Sequence, residues 1–264
     1  MTQQASAVPP PQFPQEAYYY ANMYQVGSPV TTYRVRFRSS IIFGILCLLL
    51  AGLIAGVILF ADPTFDPAVW LASLIFIVPC LAGAAYFLVV YPLIYRSWRI
   101  YAGADGFIFL KGSKAVGCRW DQVAFVWQRI VRTYTNGIYT GTSFKFTIRR
   151  TDGVEIILDG TIHNGMQLGT QLQREATRHL TPLSLAAIEA GQTLPFGPLS
   201  ASWQGLNTIR GVLPWNTIQE VNTKRGMLWI HQRGQNRARW YGGVDKIPNL
   251  YVFFNVVNTL SKGQ

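Results

Sequence analysis

The chain has 264 residues, of which 50% are hydrophobic and only 13% are charged. This composition excludes an ordinary soluble domain and predicts membrane segments joined to a globular part. Lys and Arg number 23 against 12 Asp and Glu, a formal net charge of +11. The charge points to an anionic partner, such as nucleic acid or the anionic leaflet of a membrane.

Residues 1–33 form an N-terminal tail that is rich in Pro, Gln and Tyr and carries only one charged side chain, Glu16. The tail shows neither helical nor strand periodicity, and the run Pro9–Pro11 favours polyproline II structure. We therefore predict that it is disordered. Two roles stay open for it: a solvated spacer, or a ligand for an aromatic groove on another protein.

Two uncharged apolar runs follow, at about 41–61 and 68–95. Each is long enough to cross the hydrocarbon core of a bilayer as a helix, and the short linker "DPTFDP" predicts a transmembrane hairpin over residues 34–97. The charges that flank the runs are Arg34, Arg36, Arg38, Arg96 and Arg99 on the outer sides, and Asp62 and Asp66 in the linker. The positive-inside rule then predicts a multi-pass protein of the cell membrane with both termini in the cytoplasm.

The two predicted spans contain no Asp, Glu, Lys, Arg or His. Such residues mark ion and substrate pathways, so transport by these helices is not expected. Gly52 and Gly56 on the first span and the small residues at 82–85 on the second would allow close backbone approach within the hairpin. The alternative is that they reflect only the ordinary composition of membrane helices.

From Trp98 onward the sequence has the pattern of an antiparallel meander. Six β-rich runs separated by Gly-containing turns precede a helix whose apolar residues recur at intervals of four. That helix carries Leu168, Leu172, Ala176 and Leu180. Residues 98–181 are therefore predicted to form one unit of six strands and a closing helix.

The same order recurs in residues 192–264, where six β-rich runs precede a helix that starts after Asn249. Between the two units, Pro182 opens and Gly191 closes a short helix at 182–191, which we predict to be a linker. The fold class predicted from the sequence is α+β: a two-helix transmembrane hairpin followed by tandem antiparallel-β units, each closed by a C-terminal helix.

A shared motif supports the repetition. "CRWDQVAFV" at 118–126 and "LPWNTIQEV" at 213–221 each contain Trp, a short polar residue, a spacer, a β-branched residue and, three positions later, Val. We predict that Trp120 and Trp215 are equivalent core plugs, and that Asp121 and Asn216 bond the backbone of the turn. The tryptophans are then structural and do not stack on a ligand.

The residues that usually carry chemistry are sparse. Cys47, Cys80 and Cys118 are far apart in sequence, and the three histidines have no second ligand at helical spacing. The chain has no phosphate loop, nucleophile elbow or dinucleotide fingerprint. We therefore expect no catalytic residues, metal, cofactor or small-molecule substrate, and no enzymatic activity.

The charged flanks of the hairpin, the Trp turn, the meander and the closing helix together resemble the bacterial pleckstrin-homology-like membrane proteins. The segments "FGPLSASWQGL", "LPWNTIQEV" and "KIPNLYVFFNVV" resemble one uncharacterised family of such proteins in particular. The resemblance covers most of residues 98–264 and implies an adaptor or binding module at a membrane. One departure is that the first strand turns, at 104–106 and 203–205, contain no basic residue, which argues against specific phosphoinositide headgroup binding there.

Five basic residues lie on turns that a meander brings to shared ends of its sheets. They are Arg210, Lys224 and Arg225 in the second unit, with Arg210 expected beside the other two, and Lys111 and Lys114 in the first, expected near the turn at Asn136 and Gly137. We predict that they bind anionic lipid or an acidic protein partner. Nucleic acid is not expected, because no helix-turn-helix, zinc finger or aromatic RNA-binding signature is present.

Two functions remain open at this point. The first is a membrane-anchored cytoplasmic binding or scaffolding module. The second is an accessory subunit of a membrane enzyme or transport complex, whose site forms only with a partner.

Overall fold

A computed structural model describes residues 13–61, 67–235 and 237–262. The chain forms two compact units. The sheet unit comprises Met1–Thr31, Tyr101–Ile108 and Gly117–Gln264, and the helix unit comprises Thr32–Ile100 and Phe109–Val116. The polyproline prediction for Pro9–Pro11 lies outside the described residues.

The prediction of a disordered tail is wrong for residues 13–33, which contain helix α1 (Gln15–Tyr24) and strand β1 (Pro29–Arg34). Helix α1 buries Ala17 and Ala21, which lie one turn apart on the same face. Its last residue, Tyr24, packs so closely over Gly117 that any side chain at that glycine would overlap its ring. This segment is held by close docking and not by a long apolar face, so periodicity does not reveal it.

The helix unit is built from two apolar helical stretches. They are α2 (Arg38–Ala61) and, on the other side of the linker, α3 (Pro67–Ala85), a π-helical turn (Tyr86–Val90) and α4 (Tyr91–Tyr95). Both are long and apolar enough to cross a membrane, and only 11% of the most apolar window of each is buried. Their apolar side chains therefore face outward and not into a protein core.

The two stretches contact each other near their basic ends. The Ser40 hydroxyl donates to the carbonyl of Phe87 at 2.5 Å, and the Leu88 side chain lies where any carbon added to Gly44 would be. The expected close approach at Gly52 and Gly56 is not found, because a Cβ placed on either would meet no atom of the described chain within 4 Å. Close packing is found at Gly44 and, within the predicted run 82–85, at Gly83, where an added Cβ would lie 3.4 Å from the Cys47 sulfur.

Among the described residues, fourteen strands and two long helices follow an order of elements that occurs twice, and each occurrence is called a repeat here. In the first repeat the sheet β1-β2-β3-β4 precedes the antiparallel sheet β5-β6-β7 and helix α5. The ranges that follow β1 are β2 Arg99–Gly103, β3 Gly106–Lys111, β4 Lys114–Arg119, β5 Val123–Thr135, β6 Ile138–Arg150, β7 Glu155–Asp159 and α5 Gly165–Glu189. The pair α2 and α3 is thus inserted between the first and second strands of this repeat.

The second repeat has the same plan without the insertion. Its antiparallel sheets are β11-β10-β9-β8 and β12-β13-β14, followed by α6. The ranges are β8 Leu194–Phe196, β9 Leu199–Ser202, β10 Gly205–Thr208, β11 Gly211–Pro214, β12 Ile218–Lys224, β13 Met227–Gln232, β14 Ala238–Gly243 and α6 Leu250–Lys262. The mixed α+β class with antiparallel sheets is confirmed. Each repeat has seven strands and not the predicted six, because β1 and β8 were not expected.

The two Trp turns occupy equivalent places in the two repeats. Trp120 and Trp215 each begin a 3₁₀ turn between the two sheets of a repeat, and their exposed fractions are 2% and 1%. Both indole N–H groups donate to a backbone carbonyl, that of Ala104 at 2.7 Å and that of Ser202 at 3.0 Å. This matches the geometry expected of core plugs.

The residues that bond the turn backbone are not the predicted ones. Asp121 is exposed and pairs with the Arg119 guanidinium at 2.7 Å, and Asn216 is also exposed. The next position along the chain makes the backbone bond instead. Gln122 Oε1 accepts from the Arg119 N–H, and the Thr217 hydroxyl donates to the Pro214 carbonyl. The second residue of each 3₁₀ turn therefore points to solvent.

Helix α5 joins the repeats, and the predicted linker helix at 182–191 is wrong as a separate element. Helix α5 continues without a break through Pro182 to Glu189. Its last turns bring Ile188 into the buried core of the second repeat, with Leu180 and Leu185 packed against it. This burial outweighs the helix-breaking tendency of proline, because tertiary packing supplies most of the stability of a helix.

Candidate functional site

Aromatic side chains line the end of the second apolar stretch in the helix unit. The rings of Tyr91 and Tyr95 lie 4.5 Å apart between centroids, those of Tyr95 and Trp98 also 4.5 Å, and those of Trp98 and Phe109 5.7 Å. Tyr and Trp with one apolar and one polar end are enriched where membrane helices meet water. The ladder thus has the composition that is typical of such a boundary.

One basic residue contacts the same ladder, and the helix unit has six more in its sequence. The Lys111 ammonium lies 4.9 Å from the centroid of the Trp98 ring and 4.6 Å from that of Phe109, within cation–π range. Lys114, on the same turn, is exposed. The basic residues of the helix unit, here called the collar, are Arg34, Arg36, Arg38, Arg96, Arg99, Lys111 and Lys114. Outside the linker, the helix unit has no acidic residue in its sequence.

The structure does not bring Arg210 together with Lys224 and Arg225. The Arg210 carbonyl accepts from the Arg239 guanidinium at 3.0 Å, near the start of β14. The turn at Lys224 and Arg225 lies at the other end of that strand, where Met227 pairs with Gly243. The two positions are separated by about four residues of extended strand, roughly 13 Å. Arg210 thus pairs in space with an arginine on β14 and not with the turn.

Arg225 instead lines a groove of about 790 Å³ in the sheet unit. One wall of the groove is the outer edge of β5, which among the described strands pairs with β6 alone. The opposite walls come from the β12–β13 turn, the segment before α6 and the first turns of α6. Its lining residues include Arg129, Arg132, Thr223, Arg225, Asp245 and Tyr251.

Asn249 shows which backbone groups of β5 face this side. Its side-chain oxygen accepts from the Val126 N–H at 2.9 Å, its side-chain nitrogen donates to the Ala124 carbonyl at 2.8 Å, and its own N–H donates to the Val126 carbonyl at 2.8 Å. In an antiparallel strand the N–H and C=O groups of alternate residues point to the same side. Asn249 therefore occupies the outer edge of β5 at Ala124 and Val126.

The same alternation of backbone groups between the two sides of β5 continues into the groove. Strands β5 and β6 pair one residue to one from Phe125 to Thr133, without a bulge. Gln128, Ile130 and Arg132 therefore direct their backbone groups away from β6, as Val126 does. Within the part of the chain that the structure describes, none of these groups has a hydrogen-bond partner. Three consecutive edge positions are thus open in the groove.

Strands β5 and β6 continue past β7 as a two-stranded arm, and the β5 side of the arm forms part of the groove wall. Strand β7 pairs with β6 from Lys145 to Arg149, so no third strand in the described part of the chain lies beside residues 131–143. The arm exposes large apolar and aromatic side chains, including Tyr134 at 58% and Ile138 at 71%. A two-stranded hairpin is at best marginally stable alone. Such an arm is typical of a segment that contacts another surface.

Burial and hydrogen bonding shift the pKa values of ionisable side chains in the sheet unit. Burial raises the pKa of the Cys118 thiol to about 12, so this cysteine stays protonated and is a poor nucleophile. The hydrogen bond from the Arg150 side chain lowers the pKa of the exposed Asp152 carboxyl. Among the described residues, no group of three or more His, Cys, Asp or Glu is placed to hold a metal ion.

The sequence did not predict the groove, the arm or the role of Asn249. The only signal for the arm is the Asn136–Gly137 dipeptide, which favours a two-residue hairpin turn and does form one between β5 and β6. Asn249 has the sequence context of a helix cap, yet its side chain bonds a strand 123 residues earlier in the chain. Such a long-range contact has no local signature.

Comparison with curated proteins and with solved structures gave no match. One family model matches nearly the whole chain, over residues 3–264. The chain therefore belongs to that family, described as a family of unknown function (DUF6585).

Proposed function

We propose that this protein is a membrane-anchored binding module without enzymatic activity. The two apolar stretches span the bilayer as a hairpin, the collar rests on anionic lipid headgroups, and the sheet unit holds a partner on the cytoplasmic side. The observation that carries this proposal is the collar, in which seven basic residues and an aromatic ladder adjoin two outward-facing apolar helices.

The physics of the collar favours lipid. A basic residue near an anionic bilayer surface contributes about 1 kcal/mol, and the attraction fades beyond a Debye length of about 10 Å at 0.1 M salt. Lys111 contacts Trp98, which lies three residues after the end of the second apolar stretch, so its charge is held near the proposed boundary. Several such charges together are sufficient to hold the β3–β4 turn against headgroups.

The repeats support a binding role. Each has a four-stranded sheet, a Trp turn, a three-stranded sheet and a closing helix, which is the order of elements in the pleckstrin-homology-like proteins that the sequence resembles. We propose that both repeats have this fold. The groove offers backbone groups, guanidinium groups and apolar side chains, which are suited to holding a chain.

The lipid contact is tested with the full chain in nanodiscs. Ser113, between Lys111 and Lys114, is changed to cysteine in a protein whose three native cysteines are replaced, and it then carries an environment-sensitive fluorophore. We expect a blue shift of its emission when phosphatidylserine is added to phosphatidylcholine, and reversal of this shift by salt.

The variant Lys111→Gln with Lys114→Gln should lose the lipid-dependent shift. A matched control, Arg178→Gln with Lys262→Gln, removes the same charge from exposed positions of the sheet unit and should keep the shift. Equal emission in neutral and anionic nanodiscs would contradict the proposed lipid contact.

A further inference from the structure

We propose that the free edge of β5 binds an extended acidic peptide segment of a partner protein. The segment adds to the sheet β5-β6-β7 as a fourth strand, in the groove between β5 and α6. This inference rests on the proposed function as a binding module and names the chemical class of the partner.

The backbone of β5 presents hydrogen-bonding groups that match an added strand. Asn249 already places a donor and an acceptor against the outer edge of β5 at Ala124 and Val126, much as a neighbouring strand would. Directly beyond it, the N–H and C=O groups of Gln128, Ile130 and Arg132 face the groove without a partner among the described residues. An added strand satisfies these groups, and main-chain pairing of this kind provides affinity in peptide recognition.

The length of the groove matches a short strand. Its β5 wall runs from Gln128 to Arg132 and includes Tyr134, a span of about 17–20 Å for extended chain. The opposite side is formed by the Thr223–Gly226 turn and by Tyr251 on α6. A strand lying here presents alternate side chains to the two faces of the sheet, so the groove selects a peptide with a repeat of two residues.

The charge of the groove indicates which side chains the bound peptide carries. The groove has three guanidinium groups, those of Arg129, Arg132 and Arg225, against the single carboxylate of Asp245. A peptide with acidic residues balances this excess. A second copy of this chain, pairing β5 with β5, would bring its own Arg129 and Arg132 to the same place and increase the repulsion. The charge therefore favours an acidic partner over self-association.

The test uses the full chain in neutral detergent micelles and an acetylated, amidated heptapeptide of alternating glutamate and valine. Hydrogen exchange is resolved by residue, with and without the peptide. We expect the amides of Gln128, Ile130 and Arg132 to exchange about tenfold more slowly with peptide present, and those of Arg129 and Val131, which face β6, to be unchanged. This alternating pattern is specific to strand addition, because non-specific attraction to a basic surface does not distinguish neighbouring amides.

Two N-methylated peptides sharpen the assignment. One has methyl groups on the valine amides and the other on the glutamate amides, so that only one of them loses the donors that face β5. We expect one version to bind like the parent and the other to bind roughly tenfold more weakly, as measured by fluorescence anisotropy. Equal affinities for both versions would overturn strand addition.

A matched pair of triple variants tests whether the charge of the groove determines peptide binding. Arg129→Glu, Arg132→Glu and Arg225→Glu together should abolish measurable peptide binding. Arg178→Glu, Arg233→Glu and Lys262→Glu change the net charge equally at exposed positions that do not line the groove, and this control should bind within about twofold of the parent. Equal loss in both variants would overturn the assignment to the groove.

Three outcomes separate this inference from the proposed function. If the peptide does not bind while the Ser113 probe still responds to anionic lipid, the inference fails and the lipid contact stands. If the peptide binds but the probe does not respond, the lipid contact fails. If Gln128, Ile130 and Arg132 are protected without peptide in a sample with the mass of a dimer, the groove holds a second copy and the acidic-peptide assignment is wrong.

Discussion

The two repeats share one plan but differ at the hairpin that follows the Trp turn. In the first repeat this hairpin has two strands of 13 residues, β5 and β6, and extends beyond its sheet as the arm. In the second repeat the equivalent strands, β12 and β13, have 7 and 6 residues and end in the tight turn at Lys224–Met227. The short version shows that the plan needs no arm, so the arm and the groove beside it are additions.

The asparagines that precede the closing helices of the two repeats also differ in their contacts. Asn164 and Asn249 both precede the closing helix with left-handed backbone, at φ of 56° and 51°. Asn249 bonds the edge of β5 through its side chain, whereas Asn164 makes no side-chain bond to the helix it precedes. The shared backbone conformation therefore belongs to the repeat, and the side-chain contact belongs to the connection between repeats.

The largest expected effect concerns what the repeats share. Trp120→Ala and Trp215→Ala should each lower the free energy of unfolding by about 3–5 kcal/mol, because each removes a fully buried indole and its hydrogen bond. Denaturant titration of the full chain in detergent, followed by circular dichroism, measures this. Trp203→Ala removes an indole that is 62% exposed and serves as the control, with an expected change within about 0.5 kcal/mol. A large loss for one buried tryptophan alone would break the equivalence of the repeats.

A smaller effect should separate the two asparagines. Asn164→Ala and Asn249→Ala impose the same backbone strain, since both positions have positive φ. Only the second change also leaves the Val126 N–H and the Ala124 carbonyl without the Asn249 side chain, which should cost about 1–3 kcal/mol more. The difference between the two unfolding free energies measures the contact. Equal losses would mean that the contact adds no stability.

The smallest effect concerns the arm. Tyr134→Thr and Ile138→Thr change side chains that are 58% and 71% exposed, so the unfolding free energy should move by no more than about 0.5 kcal/mol. Ile148→Thr on the same hairpin is the contrast, because Ile148 is fully buried and its replacement should be clearly destabilising. If the arm variants are as unstable as the Ile148 variant, the arm is part of the folded core and not an addition.

Several elements could be predicted from the sequence because their signals are local. The run "GFIFLK" is strand β3 at Gly106–Lys111, as predicted, and the repeated Trp motif marks the same turn twice. Strand β1 was missed because the chain reaches its neighbour β2 only after the whole helix pair. The long α5 was divided at Pro182 because the local proline signal is visible, whereas the burial of Ile188 in a distant core is not.

The candidate site was harder to predict than the fold. Lys111 and Lys114 were identified as basic turn residues, but the Trp98 ring that holds Lys111 becomes evident only when the turn is in place. The sequence also identifies Arg225, yet it predicts Arg210 as a neighbour, and Arg210 lies elsewhere. The groove is created by bringing β5 and α6 together across more than a hundred residues of chain, so no sequence window contains it.

Single-cysteine labelling tests most directly the proposal that the protein is membrane-anchored with its sheet unit in the cytoplasm. Thr64→Cys in the linker and Ser261→Cys in α6 are made in a protein without native cysteines and treated with a membrane-impermeant maleimide in intact cells. We expect labelling of Thr64→Cys at once and of Ser261→Cys only after the cells are permeabilised. Labelling of Ser261→Cys in intact cells, with Thr64→Cys protected, would contradict the account.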